Sequence, residues 1–399
     1  MVSSTKESEM NAVKFKDSPL GPIPQDWEVK TIAEFGQVVT GSTPPRGDKD
    51  NWNGDFPWIS AQDFGGKYIR ESVEHISEQG KKFCRLLPAD SVLVTCIASI
   101  GLNAIVKIEC ATNQQINAVI CEKVSPDFLY YTMEFCKARF LTLAGQTAVP
   151  IINKGQFETF MVPYPPLEEQ QRIAEALGEV DKLIESLDEQ IEKKRLIAKG
   201  VAHDLLGMRN DKNEPIRRLP GFKGAWEKKD YKDVFLHHKG KSIGTSEYES
   251  SGQFPVIDQG QEAVVAYSNN TDALFHVPDG GAIVFGDHTR IVKYVSKDFI
   301  VGADGTQILS GLGCDTQFLY HALRQIEIPN LGYNRHFKFI KNHQYSLPPT
   351  LAEQQAIVDM LSEQDAAIAA LEAKREKYVR IKEGMMRDLL TGKVRMKGE

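Results

Sequence analysis

This 399-residue sequence predicts an α+β fold: two similar globular units separated by two long antiparallel helices, paired as a coiled coil about a pseudo-twofold axis. Two observations predict it. A long helical text is written twice, and a looser duplication of short β-rich segments precedes each copy. Residues 165–206, beginning PPLEEQQRIAEAL, lie over 349–390, beginning PTLAEQQAIVDML, with 18 identities in 42 ungapped positions. Average residue usage would give about two or three. A repeat of that strength sets the organisation before any motif is weighed.

Taken in order, residues 1–18 are polar, carry no signal-peptide core, and are expected to form a flexible tail. Residues 19–164 make the first globular unit and 210–347 the second. Each begins at a Gly/Pro turn and runs through Trp27 or Trp226 to a glycine, Gly41 or Gly240. DFPWISAQDF is then answered by QFPVIDQGQE, and FLYYTM by FLYHAL. Between these anchors lie apolar runs such as SVLVTCIASIG and GAIVFGDHTRIVKYV, broken by Gly, Asn and Asp, which read as short strands.

The helices are expected over 165–209 and 348–399. In the first, Ile173, Leu177, Val180, Ile184, Leu187 and Ile191 recur at alternating steps of four and three, with charged residues filling the gaps. That narrow stripe is a heptad seam seeking a helical partner. The second keeps Ile357, Leu361, Ile368 and Leu371 but places Gln364 and Arg375 on the seam. Pro165-Pro166 and Pro348-Pro349 stop the preceding strand, and Thr350 with Glu353 has the pattern of a capping box. Forty helical residues span about 60 Å. Heptads alone would favour a plain dimerisation coiled coil.

Composition narrows the functional classes. Hydrophobic content of 41% and charged content of 26% are those of a soluble globular protein of two or three domains, and no apolar run reaches the length of a membrane span. A net charge of −6 argues against nonspecific coating of nucleic acid but leaves room for a local basic surface. The six cysteines form no CxxC and read as buried thiols of a reducing cytoplasm. GQVVTGST, from Gly36, has the spacing of a phosphate loop but Ser42 where the lysine belongs, so it reads as a strand ending in a turn. The histidines fall at no recognised metal spacing, and neither a cofactor fingerprint nor an Asn/Asp-Pro-Pro-aromatic loop for a flipped base occurs. No catalytic, cofactor or metal site is expected in this chain.

Six stretches carry a family resemblance: GPIPQDWEVKTI, GSTPPRGDKDNWNGDFPWISAQD, ATNQQINAV, VPYPPLEEQQRIAEAL, LPPTLAEQQAIVDML and LLTGKVR. In this order the chain resembles the specificity subunit of type I restriction-modification systems over nearly its whole length. The resemblance implies that each globular unit is a target recognition domain reading one half of a split, asymmetric site in double-stranded DNA. It further implies that the helices space the two domains and dock two methyltransferase subunits, with restriction/translocase subunits optionally joining in the bacterial or archaeal cytoplasm. S-adenosylmethionine would then belong to the methyltransferases, and ATP and Mg to the restriction partner. A methylation-only or atypical system, a protein-binding coiled-coil scaffold and a self-contained enzyme are the alternatives, the last weakened by the missing motifs.

Candidate DNA contacts follow from residue type and loop context, since Arg and Lys suit phosphate or guanine edges and Asn or Gln suit adenine. In the first unit they are Thr43, Arg46, Lys49, Trp52 and Asn53 in one loop, and Asn113, Gln114 and Gln115 in another. Trp58 reads as core, and Gln114 as either a base reader or a cap for neighbouring strands. In the second unit the stretches HHKGKS, GDHTRIVKY and GYNRHFKFIKNH supply Lys239, Lys241, His288, Arg290, Lys293, Asn334, Arg335 and Lys338. Each could equally belong to an ordinary solvated surface.

Overall fold

The computed structural model describes residues 13–145, 149–209, 213–332 and 334–396. Of the expected tail, residues 1–12 lie outside the described residues, while Phe15–Lys16 pairs with Ile23–Pro24. The chain divides into two compact units. One comprises residues up to Ser186 together with those from Arg375 onward; the other comprises Leu187–Lys374.

The first unit is built on a five-stranded sheet in the order Gly36–Thr40, Ile116–Cys121, Val92–Thr95, Asn103–Val106, Tyr68–Ile69. A second sheet orders Ala111–Thr112, Trp52–Ile59 and Glu74–Ile76. Period-two alternation decides which side chains meet. Val92 and Val94 enter a core with Phe128, Leu129 and Tyr131 of helix Pro126–Leu141, whereas Leu93 enters another with Ala104 and Val106. Both faces of the central strands are therefore covered, which explains their unbroken apolar text.

The second unit repeats this frame. Phe235–His238, Thr306–Gly311, Ala282–Gly286 and Val292–Val295 follow one another in its main sheet. Phe254–Ile257 pairs in parallel with Phe299–Val301, Val256 opposite Ile300 and Ile257 opposite Val301. In the first unit Trp58 stands opposite Ala111 and Ile59 opposite Thr112, also in parallel. FPWI and FPVI are thus the same strand of one architecture, although the loops after them differ.

The two long helices run unbroken from Leu167 to Leu206 and from Leu351 to Leu390. Within the first unit Asp181 meets Lys382 at 2.5 Å and Arg172 donates to the Met396 carbonyl at 3.0 Å, so the helix portions are antiparallel there. Within the second, Arg195 reaches Glu372 at 2.6 Å while Leu205 shares a core with Ile357 and Leu361, again antiparallel. Ile173, Leu177, Val180, Leu187, Ile191, Ile357 and Leu361 are buried, and Ile184, Ile368 and Leu371 half-buried. Part of the seam belongs to the globular cores as well. Ile173 and Leu177 pack with Phe128 and Leu389, and Ile357 and Leu361 with Phe318 and Leu319.

The expected capping box is only half made. Thr350 Oγ1 accepts from the Glu353 amide at 3.3 Å, but the Glu353 carboxylate turns to Arg218, at 2.9 and 2.7 Å, and to the Trp226 indole, at 3.2 Å. Glu169, its repeat partner, accepts from the Trp27 indole at 3.0 Å and from Arg395 at 2.8 and 2.7 Å. A buried charge-assisted cluster outweighs a local cap, because a carboxylate taken out of water needs several donors. Each cluster seats an opening Trp turn on the first turn of the following helix, and its arginine lies beyond the end of the opposite helix. The cysteines are free thiols; burial raises Cys96 to about 11 and Cys110 to about 12.

Candidate nucleic-acid interface

In both units the loops leaving the C-terminal ends of the parallel strand pair meet the hairpin turn of the main sheet. In the first unit Ser42 N donates to Thr112 O at 2.8 Å, Asn113 N to Ile59 O at 3.1 Å and Cys96 N to Gln115 O at 2.7 Å. Gly41 is required at this crossing, since a Cβ would fall 2.1 Å from the Asn113 carbonyl oxygen. The crossing brings the two predicted clusters together, with Thr43 Oγ1 donating to Gln114 Oε1 at 2.5 Å.

Asn113 is buried and closes its own turn, accepting from Gln115 N at 3.0 Å and donating to Gln115 Oε1 at 3.2 Å. That is the work of an Asx turn. It removes Asn113 from the exposed set while Gln114 stands out to solvent. Trp58, buried as expected, links this crossing to the second cluster, for its indole donates to Ser42 O at 3.1 Å and meets Trp52 edge-on at 5.2 Å. The Arg46 guanidinium lies 3.9 Å from the Trp52 ring and forks onto Glu74 at 2.5 and 2.9 Å. That fork holds the Glu74 carboxyl below its usual range. Lys49 is exposed in a short turn, and Asn53 is exposed with φ of 60°, a conformation Asn tolerates better than most residues.

In the second unit the same crossing joins Ile243 N to Val301 O at 3.0 Å and Asp287 N to Gly305 O at 2.8 Å. Lys239 and Lys241 are exposed beside it, and His288 is half-buried in the hairpin turn. Lys293, Arg290 and Asn334 have internal partners, the last through Nδ2 donating to the Leu331 carbonyl. Lys293 Nζ donates to the Asp258 carbonyl at 2.9 Å and the Glu262 carbonyl at 2.6 Å, and burial lowers its pKa against the pull of Asp258 and Glu262. Arg290, at φ of 66°, donates to Ile328 O at 3.1 Å. Both tie loops in place. Asn334 and Arg335 are exposed just before His336, whose amide donates to Asp287 O at 2.8 Å, while Lys338 is exposed 5.3 Å from the Phe339 ring.

The sequence reading overlooked the counterpart of that last segment in the first unit. Ile152 N donates to Cys96 O at 2.9 Å and Ala98 N to Pro150 O at 3.2 Å, so Pro150–Ile152 crosses the hairpin as Arg335–His336 does. A usable signal existed: each segment precedes a five-residue helix and then the strand leading into PP. Gln259 was also missed. Arg85 was another omission, donating to Thr40 O at 2.6 Å and so bracing the exit of the strand Gly36–Thr40. Among the described residues no group of His, Cys, Asp or Glu could hold a metal ion, and no helix is long and apolar enough to cross a membrane.

Comparison with known proteins agrees with this duplicated frame. The family of the type I restriction modification DNA specificity domain matches residues 24–194 and again 223–380. The MjaIX type I restriction enzyme specificity subunit of Methanocaldococcus jannaschii is 32% identical over 261 residues, 61% of this chain and 60% of that protein. The MjaVIII specificity subunit of the same organism is 23% identical over 419 aligned positions, 94% of each. Among solved structures, the type I restriction-modification S subunit from M. genitalium superposes with a TM-score of 0.60 at 15% identity, over 91% of this chain and 96% of that one. With both halves matched, the chain belongs to the type I restriction-modification DNA specificity subunit family.

Proposed function

We propose that this chain, as the non-catalytic DNA-specificity component of a type I complex, reads a split, asymmetric DNA site with one strand-end surface in each of two target recognition domains, residues 19–164 and 210–347. The observation that carries the reading is that one frame is used twice with different polar groups at the same crossing. The first presents Thr43, Gln114 and the Arg46–Trp52 stack, where the second presents Lys241, His288 and Arg335. Loops on a kept scaffold are where specificity diverges. Gln114, Arg46, His288, Asn334 and Arg335 are the groups proposed to reach base edges. Lys49, Asn53, Lys239, Lys241 and Lys338 meet phosphates, and Asn113, Gln115, Arg290 and Lys293 shape the loops.

The helices dock two methyltransferase subunits that use S-adenosylmethionine, optionally joined in the cytoplasm by restriction subunits that carry out the ATP- and Mg-dependent steps. Co-expression with the cognate methyltransferase, followed by mapping of methylated adenines across a genome, tests the reading. A split motif with one methylated adenine in each half is expected. An assembled complex that adds no methylation would overturn it.

A further inference from the structure

The second unit contains a side chain whose bonds all run to the loops of the crossing. Gln259 follows the strand Phe254–Ile257 by two residues. Its Oε1 accepts from the His288 amide at 3.1 Å, its Nε2 donates to the Asp304 carbonyl at 2.8 Å, and its own carbonyl accepts from Thr289 Oγ1 at 2.5 Å. One residue therefore ties together the loop after its own strand, the hairpin turn 287–291 and the turn 302–305.

The surroundings leave no slack. Gly305 sits at φ of 91°, and a Cβ there would lie 2.9 Å from both terminal atoms of the Gln259 amide and 2.8 Å from His288 Cδ2. A Cβ on Gly286 would lie 2.9 Å from Gln259 Cβ and 2.1 Å from Thr289 Oγ1. Beneath the turn, the Asp287 carboxylate accepts from Phe337 N at 2.7 Å, and its carbonyl accepts from His336 N at 2.8 Å. The segment bearing Asn334 and Arg335 is thereby tethered to the same turn. At Gln259's position in the first strand pair stands Ala61, which has no such side-chain bonds to offer.

We infer that Gln259 is a positioning residue of the second reading surface: it sets the place of the His288–Arg290 turn, and with it the half-site discrimination of that domain. The inference rests on the DNA-reading function proposed above. Gln is suited to this work because one amide donates and accepts at once. A carboxylate can only accept, so Gln259→Glu keeps the bond from His288 N but loses the one to Asp304 O. A direct base reader would give a different pattern, since its loss leaves the turn intact.

The assembled complex of this chain with its methyltransferase subunits is the material for the test. Gln259→Ala and Gln259→Glu are compared with the parent and with Arg335→Ala. The first measurement is hydrogen exchange of peptides covering 284–292 and 302–308. The second is methylation of DNA altered in each half-site separately, read as a rate ratio between correct and altered half.

Exchange in both peptides should quicken at least tenfold in Gln259→Ala. Discrimination at one half-site should fall at least tenfold while the other half stays as in the parent, with Gln259→Glu intermediate on both measurements. Unchanged exchange would overturn the inference. So would quickened exchange with discrimination preserved, or an equal loss at both halves. If the parent complex discriminates at neither half, the DNA-reading function itself fails, and the exchange result still reports on the tether.

Discussion

At the scale of single residues, the decisive groups are the two buried carboxylates that the repeat writes 184 positions apart. The Glu169 side chain is 4% exposed and the Glu353 side chain 1%. Burial alone would raise the Glu169 carboxyl, but Arg395, the Trp27 indole and the Met396 amide outweigh it and hold it below its usual value. The sign of the linkage follows. A depressed folded pKa gives stability that is fully present above the unfolded value, near 4.5, and is lost as pH falls through the folded one. Removing one partner of a buried pair costs about 3–5 kcal/mol when the other charge is left unpaired; Arg395 also forks onto Asp26 at 2.7 and 2.8 Å, so the loss here is smaller. Glu169→Gln should therefore melt below the parent at pH 7 in thermal unfolding, with the gap narrowing as pH falls below the unfolded value. A gap constant from pH 7 to pH 3 would mean that the charge of Glu169 contributes nothing. The letters EQQ were legible as a repeat. Their role was not, because Trp27 lies 142 residues before Glu169 and Arg395 226 after it.

At the scale of elements, the next letter of the repeat is a staple. Gln170 Oε1 accepts from Ser125 N at 3.0 Å and its Nε2 donates to Pro165 O at 2.9 Å. Gln354 makes the matching bond to Asp315 N at 2.8 Å and donates to Pro348 O, one residue earlier in the repeat, at 3.4 Å. Ser125 and Asp315 are the caps of the helices Pro126–Leu141 and Thr316–Leu323, so each long helix holds the start of the helix beside it. Gln354→Ala leaves a half-buried amide and a buried carbonyl unpaired and should cost about 1–3 kcal/mol. Gln355, the exposed neighbour, is the control and should change stability by less than about 0.5 kcal/mol when replaced. Equal effects of the two substitutions in urea unfolding would refute the staple. The seam was legible because a period of three and a half shows in the text, and the strands because apolar runs stand between Gly, Asn and Asp breaks. The bonds from Asn113 N to Ile59 O and from Gly302 N to Ile257 O, the latter at 2.9 Å, were not, for parallel pairing over more than 40 residues leaves no trace in local spacing.

For the whole molecule, the duplicated helices raise the question of what fixes the gap between the two half-sites proposed above. Each helix is 40 residues long, and neither is interrupted by proline. Four residues inserted after Glu185 and four after Ala369, matched positions of the repeat, lengthen each rod by about 6 Å. The added turn amounts to about 400°, roughly 40° beyond a full rotation, so the apolar seam stays nearly in line. Asp181 with Lys382, and Leu205 with Ile357, lie outside the lengthened stretches. Those two seats are therefore kept, while the Arg195–Glu372 bridge, which straddles the insertion points, is parted by about one turn. Two or three residues would rotate the seam away from its partner and should damage folding instead. The four-residue variant is predicted to methylate the same two half-sites across a spacer longer by one or two base pairs, given about 3.4 Å of axis for each. Methylome mapping reads that outcome directly. An active variant that kept the parental spacer would show that helix length does not set the distance, and the proposed role of the helices as a spacer would fall with it.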